Sequence, residues 1–330
     1  MNNHITNPEL IILDVGHGNS AILIDTDSTI VIDCAPGNVL AEALNELAIT
    51  EIDYVLISHA DKDHIGGLGT LVLNFNVKKV FINTDSAKTS KVWKTLITTL
   101  DLAKKLKGTI THPALTTSDS KTFKSGQTEI EILAPSATKM AMVGPGGTDI
   151  KGRKITANTM SVVVGILHNS HRVALLTADL DNVGLDNMLE ENSNIEADVL
   201  VFPHHGGRPC DADSEIFANK LCTEVKPKQI VFSFSRNKFT NPRDEIIKGC
   251  RSAVPQAHIS CTQLSRRCEI TTPISTPQHL IKNMPAKGML KNECCTGTIH
   301  LIMGSPYIPN PSLSSHSLFI TRNVSHPLCK

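Results

Sequence analysis

Ser58-His59-Ala60-Asp61-Lys62-Asp63-His64-Ile65-Gly66-Gly67 packs four metal-capable side chains, His59, Asp61, Asp63 and His64, into six consecutive residues. They directly follow Tyr54 to Ile57, a short apolar run that reads as a buried strand. A turn after a strand can aim all four inward, and imidazole nitrogen with carboxylate oxygen suits Zn²⁺ and Mn²⁺ alike. The competing reading, a polar surface loop with chance acids, does not account for four such ligands at this density. Gly66-Gly67 suits close packing of the loop against the site.

Further along, His204-His205-Gly206-Gly207 ends the apolar run Val199 to Phe202. In an extended segment adjacent histidines point to opposite sides, so one is expected to ligate and the other to orient a ligand or donate a proton. Asp179 follows the apolar run Val173 to Leu176, and Asp33 follows Thr29 to Ile32. A carboxylate at a strand end can bridge two metals or fix a ligand loop. Either Asp alone is more often a helix cap or a turn residue.

The remaining periodicity gives paired strands over the first 35 residues and a helix from Val39 to Leu47. Val92, Leu96, Leu100 and Ala103 lie on one face of a helix over Lys91–Leu106. Residues 137–157 read as a long loop, Ser161 to Leu167 and Ile230 to Phe234 as strands, and Arg243 to Ala253 as a helix. A last strand is expected within Gly297 to Met303. One domain is expected over residues 1–304, followed by a Pro/Ser-rich, poorly ordered tail over 305–330.

The chain has 330 residues, enough for a sizeable core, and its 40% apolar content excludes intrinsic disorder. No apolar run approaches the roughly 18 residues of a membrane span, so no membrane partner is expected. A polar start without an apolar stretch argues against an export signal. With nine scattered cysteines, this gives a cytoplasmic protein with reduced thiols. Cys261, Cys268, His279, Cys294 and Cys295 match no standard zinc-finger spacing and read as buried or idle thiols. Aromatic residues, at 4%, argue against a base-stacking platform. Zero net charge hides an asymmetry: residues 1–204 hold 16 basic and 24 acidic side chains, residues 205–330 hold 16 and 8. The basic second half could attract a polyanion or be an ordinary solvated surface.

Taken together, these residues resemble the metallo-β-lactamase fold superfamily, and within it the soluble domain of ComEC-type DNA-uptake proteins. That domain opens with Leu-Asp-Val-Gly-Gln-Gly-Asp, which here is Leu13-Asp14-Val15-Gly16-His17-Gly18-Asn19. Its metal motif matches Ser58 to Gly67, and its Asn-x-x-Ser strand start matches Asn158 to Ser161. Its Leu-Leu-Thr-Gly-Asp reads Leu175-Leu176-Thr177-Ala178-Asp179, and its Pro-His-His-Gly-Ser reads Pro203-His204-His205-Gly206-Gly207. The order and spacing hold over about residues 10–250. The chain departs from the pattern at His17, Asn19 and Asn241-Pro242, the last standing where a His-Pro is usual.

The resemblance implies an α/β fold of αββα type, two sheets faced by helices, with two divalent metal ions, Zn or Mn, at the strand ends. It implies that His59 and Asp61 hold one ion and Asp63 and His64 the other. Asp179 would bridge them, and His204 rather than His205 would complete the second site. Asp63 and His205 are then the candidates for proton transfer. Asn158, Arg208, Arg236 and Asn241 are candidates for substrate contact, and Asp33 and His17 for support of the ligands.

Asp61 in place of a histidine makes the first site harder, which favours Mn²⁺ or Mg²⁺ relative to an all-imidazole site. The expected activity is a metal-dependent phosphodiesterase or nuclease acting on nucleic acid or a small phosphodiester. Two alternatives stand beside it: a hydrolase of a small ester, lactone or thioester, and a non-catalytic metal-binding partner protein. No protein partner is identifiable from the sequence.

Overall fold

The computed structural model describes residues 7–83, 88–123, 125–138, 143–209, 213–304 and 306–330. Among these, eight strands form one sheet and six form a second. The first sheet is built from β1 (Glu9–Ile12), β2 (Ala21–Ile24), β3 (Thr29–Ile32), β4 (Glu51–Ile57), β5 (Asn76–Ile82) and β6 (Ile110–His112), joined by β13 (Ile299–Ile302) and β14 (Ile308–Asn310). Its order is β14-β13-β1-β2-β3-β4-β5-β6. β1, β2 and β3 pair antiparallel, and β3 to β6 run parallel.

The second sheet contains β7 (Thr128–Ala134), β8 (Val163–His168), β9 (His171–Leu176), β10 (Val199–Val201), β11 (Gln229–Phe232) and β12 (His258–Cys261). β7, β8 and β9 are antiparallel and β9 to β12 are parallel, so both sheets have an antiparallel half and a parallel half.

Three apolar layers explain the stacking. Leu10, Leu23, Ile30 and Leu56 of the first sheet meet Ile132, Val164, Leu176 and Val201 of the second, all buried. On the outer face of the first sheet, Val31, Val55 and Val80 pack under α1 (Val39–Glu46), α3 (Leu68–Asn74) and α4 (Lys91–Lys107). On the outer face of the second, Leu175, Leu200 and Ile230 pack under α5 (Asn182–Glu191), α6 (Ser214–Val225) and α7 (Asp244–Ala253). Strands buried on both faces read as continuous apolar runs, as the parallel strands do here. This is the expected αββα sandwich.

The helix expected over Lys91–Leu106 is α4, capped by the Ser90 side chain and ended by left-handed Gly108. The expected 137–157 loop is partly outside the described residues. In its described part Arg153 pairs with Asp149 and Asp186.

The poorly ordered tail is a correction. β14 pairs with β13, and α8 (Leu313–Asn323) buries His316, Phe319 and Ile320 against the second sheet's helical layer. The serines that suggested disorder include the N-cap of this helix: the Ser312 side chain accepts the Ser315 N–H. No helix among the described residues is long and apolar enough to cross a membrane.

Candidate metal centre

The site sits where the parallel strands end. Asp33 follows β3, Ser58 and His59 follow β4, Asp179 follows β9, and His204 and His205 follow β10. The backbone turns sharply at these points. Asp33, Ala178, His204 and His205 are all left-handed, with φ of 57°, 48°, 52° and 57°. Left-handed non-glycine residues persist only where their surroundings hold them, and they concentrate at functional sites. After His59 the chain enters α2 (Lys62–Ile65), a single turn that presents Asp63 and His64. Gly67 lets the chain after that turn press on the loop that follows β3, since a Cβ there would come within 2.5 Å of the Ala35 carbonyl.

Hydrogen bonds fix the ring orientations. The His64 Nδ1–H donates to Asp33 Oδ2 at 2.7 Å. Ser58 donates to the same carboxylate through its N–H and its hydroxyl, each at 2.8 Å. The Ser58 hydroxyl also accepts from His59 Nδ1 at 3.1 Å. His205 Nδ1–H donates to the Ser233 carbonyl at 2.8 Å. In all three rings Nδ1 is therefore occupied and Nε2 is turned inward. Outer partners of this kind orient imidazoles for metal binding.

What they turn toward is Asp179. Its Oδ1 lies 3.4 Å from His64 Nε2 and 3.6 Å from His205 Nε2. Its Oδ2 lies 3.8 Å from His59 Nε2 and 3.7 Å from His204 Nδ1. Asp63 faces the first group, with Oδ2 3.5 Å from His205 Nε2, and Asp61 faces the second, with Oδ2 3.6 Å from His59 Nε2. Ligand atoms of Asp63, His64, Asp179 and His205 all lie within 4.8 Å of one another.

The donor set fits a cation. The Nε2 atoms of His59, His64, His204 and His205 and Oδ1 of Asp179 are buried and have no hydrogen-bond partner. Buried polar atoms without a partner are costly, and an ion among them satisfies several at once. The electrostatics agree. Burial would lower the His64 imidazole, but the Asp33 and Asp179 carboxylates raise it well above its usual value. Burial would raise Asp179, yet the fields of His64, His205 and His204 hold it well below the carboxylate range. At His64 the surroundings thus favour positive charge on the ring edge, the place a cation would take. On the outer side, the hydrogen bond with His59 and the ion pair with Lys88 outweigh partial burial and hold the Asp61 carboxyl at about 2.

The structure brings His59, Asp61, Asp63, His64, Asp179, His204 and His205 together and places Asp33 behind them. His17 also reaches the cluster, with Nε2 3.0 Å from Asp63 Oδ2 and its ring 4.5 Å from that of His205. The expectation that only one of the adjacent histidines faces the site is corrected. Residues 203–206 form a left-handed turn rather than extended chain, so both rings converge on Asp179. His205, not His204, joins the group that contains Asp63 and His64.

Arg236 is a second correction. It is 4% exposed, and its guanidinium donates to the carbonyls of Leu264, Glu269 and Ile270 at 2.6, 2.8 and 2.8 Å. It braces backbone rather than facing substrate. Asn241 is buried, with its carbonyl accepting from Ser265, while Arg208 is exposed. The Asn158 carbonyl accepts from the Ser161 N–H at 3.0 Å in the turn before β8. Sequence reasoning missed the roles of Ser58, Ser233 and Lys88. Only Ser58 had a signal, its place directly before the metal motif.

A family model of the metallo-beta-lactamase superfamily matches residues 13–213. ComE operon protein 3 of Bacillus subtilis (strain 168) is 22% identical over 262 residues, which is 73% of this chain and 30% of that protein. This chain therefore spans less than a third of that relative's length. Two solved structures are similar in fold. The metallo-beta-lactamase fold protein YhfI from Bacillus subtilis has a TM-score of 0.49 at 14% identity, covering 77% of this chain and 96% of that one. The human tRNase Z short form has a TM-score of 0.42 at 14% identity, covering 70% and 94%. With the family match running from the opening turn through both histidine clusters, the chain belongs to the metallo-beta-lactamase superfamily of metal-dependent hydrolases.

Proposed function

We propose that the protein is a phosphodiesterase of the nuclease type that works with two divalent ions, Mn²⁺ or Zn²⁺. The observation that carries this reading is the division of the cluster by Asp179. One oxygen faces His64 and His205, with Asp63 beside His205, and the other faces His59 and His204, with Asp61 beside His59. A carboxylate shared between two His/Asp groups is the arrangement a dinuclear site needs. Such ions, when bound, supply Lewis acidity to a phosphoryl oxygen and lower the pKa of water.

The chain's own residues provide the rest. Asp63 is kept ionised: burial opposes this, but His17, His205 and His64 outweigh it and hold the carboxyl far below its ordinary value. As a persistent carboxylate it can ligate an ion and orient attacking water by accepting its hydrogen bond, with His17 Nε2 3.0 Å away to fix its position. Lys88, paired with Asp61, Lys238, near His17, and the exposed Arg208 are cations that phosphate oxygens could meet. Three aspartates, Asp61, Asp63 and Asp179, in the cluster favour harder ions of the kind used in phosphoryl chemistry. The buried thiols fit a reducing compartment, in keeping with a cytoplasmic location.

Hydrolysis of bis(p-nitrophenyl) phosphate with Mn²⁺ or Zn²⁺ tests this, with the His64→Ala variant beside the wild type. The expected result is metal-dependent turnover that the variant loses. Absence of turnover in protein shown to hold metal would overturn the reading in favour of ester hydrolysis or a binding role.

A further inference from the structure

We infer that Phe239 is a stacking platform for a nucleobase at the mouth of the metal cluster, so that the substrates are nucleoside-containing phosphodiesters; this rests on the phosphodiesterase reading above. A singly exposed aromatic is unremarkable in itself. Three features set this one apart.

The first is position. The Phe239 ring lies 4.9 Å from the His17 ring, which lies 4.5 Å from the His205 ring, so the three form a tilted series leading out of the cluster. The inner end touches Asp63 and Asp179 through His17 and His205. The outer end is open, with Phe239 65% exposed.

The second is backbone conformation. Phe239 and Thr240 are both left-handed, with φ of 61° and 52°. For a bulky residue this conformation is unfavourable, and a ring left mostly in solvent recovers little from packing. The loop is nevertheless well anchored. Lys238 N–H donates to the Ser235 carbonyl at 3.1 Å, Arg267 donates to the Thr240 carbonyl at 3.0 Å, and Ser265 donates to the Asn241 carbonyl at 2.8 Å. Behind it, Arg236 ties the loop to the backbone at residues 264–270. An apolar ring held outward on a braced loop is preorganised for a ligand.

The third is charge. Lys238 Nζ stands 4.9 Å from the Phe239 ring centroid. It lies over the ring face, and this flexible cation can swing aside to a phosphate as a base takes that face, so that ring and lysine match the two halves of a nucleotide. Every base offers a π-face, so such a platform takes bases with little sequence preference. The low aromatic content of the chain does not oppose this, because one ring at the cluster is sufficient for one base.

The test compares a dinucleotide with the same sugar–phosphate skeleton lacking both bases. Wild type, Phe239→Ala and Phe239→Trp are assayed with the metal that supports bis(p-nitrophenyl) phosphate hydrolysis. The ratio of the two kcat/KM values should fall about 10-fold in Phe239→Ala, within the roughly 5- to 150-fold range for one base–aromatic stack, and should survive in Phe239→Trp. The change should lie in KM. An unchanged ratio in Phe239→Ala would overturn the platform.

Binding gives a readout that does not need turnover. In metal-loaded Phe239→Trp, a phosphorothioate-linked dinucleotide should quench the new indole, while the buried native Trp93 is unaffected and the abasic analogue has no effect. Quenching without cleavage of any phosphodiester would refute the catalytic reading and leave the platform standing. Equal quenching by dinucleotide and abasic analogue would refute the platform alone.

Discussion

The molecule holds two histidine-rich clusters, and they behave oppositely. Around Asp179, His59, His64 and His205 present bare, buried Nε2 atoms to carboxylates, and His204 faces the same Asp through Nδ1. Beside α8, His258, His279 and His316 also approach one another, with His258 Nε2 and His316 Nδ1 2.9 Å apart. There, however, the nitrogens are spent on neighbours. His316 Nε2 lies 3.2 Å from both the Cys295 Sγ and the Thr296 hydroxyl, and His279 Nε2–H donates to the Cys295 carbonyl at 2.7 Å. In the first cluster outer hydrogen bonds take Nδ1 of His59, His64 and His205 and leave Nε2 for an ion. In the second the rings satisfy each other and the backbone. Histidine density alone therefore does not mark a metal site; carboxylates facing unpartnered ring nitrogens do.

The largest expected effect separates the two directly. His64→Ala should remove bound metal and depress phosphodiester turnover by more than about 100-fold, the upper range for loss of an outer partner alone. His316→Gln should leave metal content unchanged. Metal analysis of both purified variants checks this, and equal metal loss would break the contrast. One shell further out, Asp33→Asn keeps the shape but removes the charge behind His64 and Ser58. Metal affinity should fall roughly 10- to 100-fold, read by competition with a chromogenic chelator. Unchanged affinity would show that ring orientation here does not depend on that carboxylate.

Much of the first cluster was legible because its residues sit at strand ends that are themselves strongly apolar. Ile30 to Ile32, Val55 to Ile57 and Val199 to Val201 announce buried strands, and the polar residue that ends each one stands out. Which ring of His204-His205 meets which oxygen was not legible. It depends on two left-handed residues in succession, and β periodicity assumes extended chain. The C-terminal strand and helix were obscured by composition, since the same serines that cap α8 also resemble a disordered tract. Arg236 looked like a phosphate contact because sequence shows that a guanidinium lies near a strand end. Only the fold shows that three carbonyls surround it.

That correction yields a prediction of intermediate size. Arg236→Met should destabilise the protein by about 2 kcal/mol, because it leaves the buried Leu264 carbonyl and two half-buried ones without a charged donor. Metal content per folded molecule should not change. Urea unfolding against metal analysis separates the outcomes: intact stability with weakened phosphate binding would return Arg236 to the substrate side.

The smallest effect sharpens the comparison from the second cluster. Burial, then the neighbouring His258 and His279, push His316 down to about 3, so it folds as a neutral ring. A group whose folded pKa is depressed contributes its full stability above its unfolded pKa, near 6.5, and loses it as pH falls toward the folded value. Stability should therefore drop by about 2 kcal/mol between pH 7 and pH 5 through this residue alone, since each pH unit below about 6.5 is worth close to 1.4 kcal/mol. His316→Gln, uncharged throughout, should remove that component even if it lowers stability at neutral pH. The quantity to measure is the difference in pH slope between wild type and variant, taken from urea midpoints on metal-loaded protein so that the first cluster does not titrate alongside. Parallel slopes would mean that the second cluster admits a proton when folded, and the distinction between a cluster that seeks positive charge and one that excludes it would fail.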